Sequence, residues 1–94
     1  MRVNFYATFR QIVGGKTIEF PMADGMTVRQ LMAEIIARFP PLRAQLLDEQ
    51  GHVYRHVHVL INGRDVQYLG SGLDTPVSAE DTVNIFPAVA GGAA

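Results

Sequence analysis

The stretch MTVRQLMAEIIARFPP, residues 26–41, carries the clearest structural signal in the chain and decides its fold. Thr27 and Gln30 have the spacing of a capping box, in which each side chain satisfies an amide at the helix start. The apolar residues behind them share one helical face: Val28, Leu31, Met32, Ile35, Ile36 and Phe39. Pro40 and Pro41 then stop the helix. The sequence therefore predicts a helix over residues 28–39 whose apolar stripe packs, as core, against a sheet.

A β-hairpin is predicted before this helix. Residues 3–9 alternate between apolar and polar side chains, which predicts a strand with one buried face. Residues 17–20 show the same alternation and Pro21 ends it. Gly14-Gly15 lies between the two runs and offers the turn.

The strands that complete the sheet are predicted after the helix. Residues 56–61 have strand character, and Asn62-Gly63 is the dipeptide that most favours a tight hairpin turn. Val66 is placed on the returning arm, and residues 82–86 form a last strand closed by Pro87. The order β-β-α-β-(β)-β predicts an α+β domain with one main helix packed on a small mixed sheet.

Length, charge and composition exclude several classes of protein. With 94 residues and no cysteine, the chain has room for one domain and carries neither disulfides nor thiol nucleophiles. Its net charge of -1, without a run of like charges, argues against a nucleic-acid partner. No secretion signal opens the sequence and no stretch approaches the roughly 20 apolar residues of a membrane span. A cytoplasmic protein without membrane contact is expected.

The candidate metal ligands and acid–base groups favour structural roles. The histidines His56 and His58 share a strand face, with His52 upstream, but a structural zinc site usually needs four protein ligands. We interpret them as part of a polar face and predict no metal. The carboxylates all fall at predicted turns or element ends: Asp48, Glu49, Asp65, Asp74, Glu80 and Asp81. The chain is therefore predicted to be a partner of enzymes rather than an enzyme, and to hold no cofactor.

The sequence ends PAVAGGAA, residues 87–94, without a charged or bulky side chain. Pro87 lacks an amide hydrogen and is predicted to end strand pairing at Phe86, so that the following residues leave the sheet. Gly91-Gly92 has no Cβ and can pass through a narrow channel. The residues alone leave two interpretations open: an untethered end without function, or a slender segment that enters the active site of another protein.

Three segments together resemble the MoaD/ThiS family of ubiquitin-like sulfur carriers. They are TVRQL at residues 27–31, VLINGRDV at 59–66 and DTVNIFPAVAGG at 81–92. The resemblance covers residues 2–92. Residues 56–92 are most similar to CysO-type carriers of cysteine synthesis and to the small ubiquitin-like modifiers of archaea. The resemblance implies a β-grasp fold over residues 1–87 and a flexible tail over residues 88–94.

The resemblance also implies a mechanism. An adenylyltransferase related to ubiquitin-activating enzymes, which binds the ATP itself, would convert the Gly92 carboxylate into an acyl-adenylate. A sulfur donor would replace AMP, and the resulting thiocarboxylate would supply a downstream sulfur-accepting synthase. Gly91, Ala90 and Val89 would give the tail slender access to those active sites.

Ala93-Ala94 departs from the family pattern, in which mature carriers end at the second glycine. The extra residues imply a precursor that a metalloprotease of the JAMM type cuts between Gly92 and Ala93. An extension added during expression and a diverged protein that carries no sulfur remain open.

Three further functions fit the same residues. The activated Gly92 could pass to lysines of other proteins, which would make the chain a covalent modifier; its own sequence offers Lys16 as the only lysine acceptor. The chain could instead be the small subunit of molybdopterin synthase. A non-covalent β-grasp binding module with an inert tail belongs to another class.

Overall fold

The computed structural model of the chain describes residues 1–21 and 25–88. Over these residues the strands are β1 (Arg2–Phe5), β2 (Thr17–Glu19), β3 (Val57–Ile61), β4 (Arg64–Asp65) and β5 (Thr82–Pro87), and the helices are α1 (Ala7–Val13), α2 (Val28–Arg38) and α3 (Arg43–Leu46). Single 3₁₀ turns lie at Pro40–Leu42, Val66–Tyr68 and Gly72–Asp74. None of the helices in the described ranges is long and apolar enough to cross a membrane.

The start of α2 confirms the predicted capping box. The Gln30 amide donates to Thr27 Oγ1 at 3.3 Å, and the Thr27 amide donates to Gln30 Oε1 at 2.9 Å. The apolar stripe is core, with its most deeply buried members at Val28, Leu31, Met32 and Ile35. The helix ends at Arg38, one residue before the predicted end, because Phe39 leads into the turn begun by Pro40.

The predicted opening hairpin is wrong in its connection. β1 and β2 do pair antiparallel, but the first strand stops at Phe5 and α1 lies between the arms. Ala7, with φ +54°, turns the chain out of the strand. Phe9 and Val13, four residues apart, are then buried on one side of α1. The helical spacing of these two side chains outweighs the local alternation of residues 3–9.

The second hairpin confirms the predicted turn and shortens its strands. Asn62 and Gly63 both have positive φ, 52° and 85°, as a type I′ turn requires. The strand before the turn begins at Val57 rather than at His56. β4 has two residues only, and Val66 is buried in a 3₁₀ turn instead of extending the strand.

The five strands form a mixed sheet in the order β2-β1-β5-β3-β4. β5 lies at the centre, parallel to β1 and antiparallel to β3. One face of the sheet belongs to the core, where its buried members are Val3, Phe5, Val57, Val59, Ile61, Val83 and Ile85. The residues between them in β1, β3 and β5 are at least partly exposed, so the other face of the sheet is open.

Candidate docking face at the end of β5

The described chain ends at Ala88, the first residue of the tail predicted over residues 88–94. The predicted site residues therefore lie outside the described residues: Val89, Ala90, Gly91, Gly92 and Ala93, with Ala94 behind them. What the structure supplies is the surface from which this segment starts. That surface is the open face of the sheet at the end of β5.

Pro87 does not end strand pairing, contrary to the prediction. Pro87 belongs to β5 opposite Val57, and the Ala88 amide still donates to the His56 carbonyl at 2.5 Å. Amides along a strand point alternately to its two neighbours, so the position of Ala88 means that Pro87 nitrogen faces away from β3. On that side β1 has already ended, and the missing amide hydrogen costs no bond.

Three aromatic side chains cluster on the open face beside this exit; we call Tyr6, His58 and Phe86 the aromatic patch. The His58 and Phe86 rings are stacked with centroids 5.2 Å apart. Tyr6 meets Phe86 edge-on at 6.2 Å. All three side chains are half-buried in the isolated chain. Phe86 lies two residues before Ala88, so the patch adjoins the start of the tail.

Asp65 holds His58 in this arrangement. Nδ1 of His58 lies 2.8 Å from Oδ2 of Asp65, and since an ionised carboxylate only accepts, Nδ1 donates. Burial raises the pKa of Asp65, but hydrogen bonds from the side chains of His58 and Gln67 and from the Gln67 amide outweigh burial and lower it. The carboxylate is therefore ionised at neutral pH and orients the imidazole against Phe86.

A polar network fixes the other edge of the patch. The Tyr6 hydroxyl donates to Oδ1 of Asn84 at 3.0 Å, and Nδ2 of Asn4 donates to the same oxygen at 3.0 Å. The Thr17 hydroxyl in turn donates to Oδ1 of Asn4 at 2.6 Å. These bonds join β2, β1 and β5 across the open face and hold the Tyr6 ring beside Phe86.

The histidines do not converge on a metal site. His56 lies before β3 and stacks on Tyr54 at 5.2 Å, while His58 is engaged by Asp65 and Phe86. His52 contacts Asp48 at 3.8 Å. Within residues 1–21 and 25–88, no group of three histidine or acidic side chains is placed to hold a metal ion.

The remaining carboxylates stabilise turns or lie in exposed ion pairs. Asp48 accepts from the amides of Gln50 and His52, and these bonds lower its pKa although partial desolvation opposes them. Asp81 accepts from the Ser78 amide and from Asn62, which lowers its pKa. Asp74 pairs with Arg29 at 3.2 Å on the surface. Their contacts give them structural roles at element ends.

A small pocket lies on the side of the chain where Asp65 is located, and Asp65 is one of its lining residues. It has a volume of about 200 Å³ and a largely apolar lining that includes Val53, Tyr54, Val57 and Leu73. Small-molecule sites usually enclose about 300–1,000 Å³. None of the three patch residues lines this pocket, so the patch is an exposed surface, and such a surface suits contact with another protein.

Comparison with known proteins places the chain among small carriers and modifiers. A model described as the ThiS family matches residues 3–92. The protein is 40% identical over 92 residues to small archaeal modifier protein 3 of Haloferax volcanii, with 98% of each chain covered. It is 35% identical over 72 residues to sulfur carrier protein CysO of Mycobacterium bovis, which covers 74% of this chain and 76% of CysO.

Solved structures of related proteins have the same fold as this chain. A crystal structure of an Amycolatopsis orientalis BexX/CysO complex contains a chain that matches this one with a TM-score of 0.78 and 35% identity, covering 97% of this chain and 98% of the other. The mixed five-stranded sheet crossed by α2 is thus a β-grasp fold, as the resemblance implied. The aromatic patch is the feature that sequence analysis missed. Its signal was an aromatic residue, Phe86, on the polar side of a strand.

Proposed function

This chain belongs to the ThiS family, and on that premise we propose that it is a sulfur carrier activated at the carboxylate of Gly92. The observation that carries the proposal is where the family match ends. It runs from residue 3 to residue 92, so it includes Gly91-Gly92 and leaves out Ala93-Ala94. We therefore propose that Ala93-Ala94 is removed before activation, by a JAMM-type metalloprotease that cuts after Gly92.

The chemistry requires that free carboxylate. A Gly92 carboxylate oxygen attacks the α-phosphorus of ATP held by the adenylyltransferase, and pyrophosphate leaves. A sulfur donor then attacks the acyl carbon and AMP leaves, so that a thiocarboxylate replaces the carboxylate. In the chain that ends at Ala94, the carbonyl of Gly92 belongs to a peptide bond with Ala93, so Gly92 has no carboxylate for the first step. The carrier contributes the acyl group, and its partner supplies the catalytic groups.

The aromatic patch is the surface on which we propose that the adenylyltransferase docks. Half-buried aromatic side chains contribute large contact areas at low entropic cost and are enriched among residues that dominate interface energies. The Asp65 carboxylate and the Asn84 side chain already orient His58 and Tyr6 before binding. A partner seated on Phe86 would receive the chain that starts at Ala88, since the two are separated by Pro87 alone.

The thiocarboxylate would donate sulfur to a synthase for cysteine or another sulfur metabolite. The identity to sulfur carrier protein CysO supports this assignment. The solved BexX/CysO complex supports the view that such a protein acts by binding a second protein. The chain itself would act without a cofactor or a catalytic group.

A covalent modifier is the second candidate, and a specific observation favours it. The match to small archaeal modifier protein 3 extends over 98% of both chains, further than the match to CysO. The two functions share the adenylation of Gly92 and differ in the nucleophile that follows, sulfur or the amine of a lysine. A molybdopterin synthase small subunit and a non-covalent binding module are weaker alternatives.

The test compares the chain ending at Ala94 with the chain ending at Gly92. With the adenylyltransferase of its own genome, the chain ending at Gly92 should support exchange between ATP and pyrophosphate, whereas the chain ending at Ala94 should be inert. With a sulfur donor, the mass of the trimmed chain should rise by about 16 Da as one oxygen is replaced by sulfur. Conjugation to lysines without gain of sulfur would favour the modifier. If the trimmed chain neither exchanges pyrophosphate nor gains sulfur, the non-covalent binding module is the interpretation that remains.

A further inference from the structure

The sheet is incomplete on the outer side of β3. β3 has five residues, whereas β4 has two and pairs only with Leu60 and Ile61. On its inner side β3 pairs with β5 along its whole length. Among residues 1–21 and 25–88, no strand therefore lies outside the first three residues of β3. We call this stretch, residues 57–59, the open edge.

The backbone groups of Val57 and Val59 face the open edge. Directly after β3, the Asn62 amide donates to the Thr82 carbonyl at 2.9 Å, so the even-numbered residues of this strand direct their backbone groups to β5. Backbone groups alternate in direction along a strand. The groups of the odd-numbered residues, Val57 and Val59, therefore point outward.

Two of these outward groups are unpaired. The Val57 amide donates to the Tyr54 carbonyl at 3.0 Å. In the part of the chain that the structure describes, however, nothing donates to the Val57 carbonyl and nothing accepts from the Val59 amide. Val59 is 1% exposed, and buried amides without a partner are rare in native proteins. The Val59 amide therefore indicates a place where another molecule supplies the acceptor.

The small pocket that Asp65 lines opens at the same edge. Val57 and Val59 form one wall, and its other apolar side chains are those of Val53, Val66 and Leu73. Its volume of about 200 Å³ is below that of usual small-molecule sites. An apolar side chain that enters beside the unpaired backbone groups would fit it better than a whole small molecule.

The pocket and the aromatic patch lie on opposite faces of β3. The side chains of Val57 and Val59 point to the core, whereas His58 points to the open face of the sheet. Asp65 contributes to both, because it lines the pocket and bonds His58. A molecule in the pocket would leave Phe86 uncovered. The site is thus separate from the proposed docking surface and does not rest on the proposed function.

The rim of the pocket offers a positive charge. Arg55 lies at the rim toward the start of β3, and Asp65 and Gln67 lie toward β4. The Asp65 carboxylate already accepts from His58 and Gln67. No carboxylate of the described residues forms an ion pair with Arg55. An acidic residue on the bound molecule would complement this guanidinium.

We propose that the open edge is a binding site for a short extended peptide segment of a partner protein. A carbonyl of the segment accepts from the Val59 amide, and an amide of the segment donates to the Val57 carbonyl, as when a strand is added to a sheet. An aliphatic side chain of the segment enters the pocket, and an acidic residue beside it meets Arg55. The paired donor and acceptor at strand spacing are the reason for a peptide backbone rather than another apolar ligand.

The test selects a peptide and then locates it. A displayed library of random peptides is selected on the chain ending at Ala94, and we expect an aliphatic residue near an acidic one in the peptides that bind. The tightest peptide is synthesised and titrated into isotope-labelled protein, followed by nuclear magnetic resonance. The Val59 amide should show a large change in chemical shift, and its hydrogen exchange should slow when the peptide is bound.

One pair of variants tests the pocket. Leu73→Trp fills the pocket, whereas Leu69→Trp places the same ring at another half-buried leucine that does not line it. Leu73→Trp should weaken peptide binding about tenfold, the loss expected when one aliphatic side chain is excluded. Leu69→Trp should leave the affinity unchanged.

A second pair of variants tests the charge and does not disturb the core. Arg55→Glu should weaken peptide binding about threefold, as expected for an exposed ion pair. Arg64→Glu makes the same change at an exposed arginine of β4 that does not line the pocket, and should leave the affinity unchanged.

The proposal is overturned if no peptide is selected, because the unpaired groups at the open edge would then be satisfied by water alone. It is also overturned if the selected peptide shifts the amides of His58 and Phe86 and leaves that of Val59 unchanged. Equal affinities within both pairs of variants would exclude the pocket and Arg55 from the site.

Discussion

The start of α2 and the end of β5 are assembled in different ways. At the start of α2, Thr27 and Gln30 bond each other's amides over three residues of sequence. At the end of β5, Phe86 contacts Tyr6 and His58, which come from chain segments 80 and 28 residues away. The first region is local and stabilises the fold, whereas the second depends on the sheet and presents a surface. The same kind of substitution should therefore have different consequences in the two regions.

The largest expected effect on stability is in the core beneath α2. Leu31→Ala removes a fully buried side chain and leaves a cavity, so it should lower the free energy of unfolding by about 3 kcal/mol. Leu60→Ala makes the same change on the open face, where Leu60 is half-buried, and should cost less than about 1 kcal/mol. Urea titrations followed by circular dichroism measure both. If the two variants lost similar amounts of unfolding free energy, the open face would contribute to stability as much as the core beneath α2.

The aromatic patch should affect binding more than folding. Phe86→Ala should weaken the complex with the adenylyltransferase by about tenfold, because it removes the ring adjoining the tail. Tyr68→Ala is the matched control, since Tyr68 is 83% exposed and lies outside the patch. Isothermal titration calorimetry compares the two. Unchanged affinity for the folded Phe86→Ala chain would place the docking surface elsewhere.

The capping box should have a smaller effect, confined to stability. Thr27→Ala removes the acceptor for the Gln30 amide and should cost about 1 kcal/mol. Gln30→Ala removes the reciprocal bond to the Thr27 amide, and the two losses should not add in the double variant because they share one motif. Chemical denaturation provides the three values. Strict additivity would mean that the two bonds form independently.

The smallest effect concerns the dependence of stability on pH at Asp65. Its pKa is lower in the folded protein than in the unfolded chain, so its contribution is present above the unfolded pKa and is lost as pH falls through the folded pKa. Asp65→Asn should abolish that part of the acid dependence and leave His58 without its carboxylate partner. Thermal unfolding over an acidic pH series provides the comparison. A parallel pH profile for the two proteins would show that the hydrogen bonds of the Asp65 carboxylate do not contribute to stability.

The predictions that succeeded concern motifs whose partners are close in sequence. Thr27 and Gln30 are three residues apart, and Asn62-Gly63 forms its turn through the conformations of two adjacent residues. The predictions failed where contacts between residues far apart in the sequence determine the local structure. Residues 3–9 alternate as a strand should, but burial of Phe9 and Val13 makes their second half a helix. Pro87 stays in β5 because β1 ends before it, so no partner there needs the missing amide hydrogen. The residues next to Pro87 in the sequence do not indicate where β1 ends.

The sequence by itself determined the helix, the hairpin turn, the fold class and the resemblance that leads to Gly92. These depend on hydrogen bonds between residues close in sequence, on the periodic spacing of apolar residues and on a motif of consecutive residues. The tertiary structure alone decided that Tyr6, His58 and Phe86 form one surface and that Nζ of Lys16 lies 5.5 Å from the centre of the Tyr6 ring. The physical reason is the sheet order, which brings β2, β1, β5 and β3 together at spacings that sequence separation does not reveal.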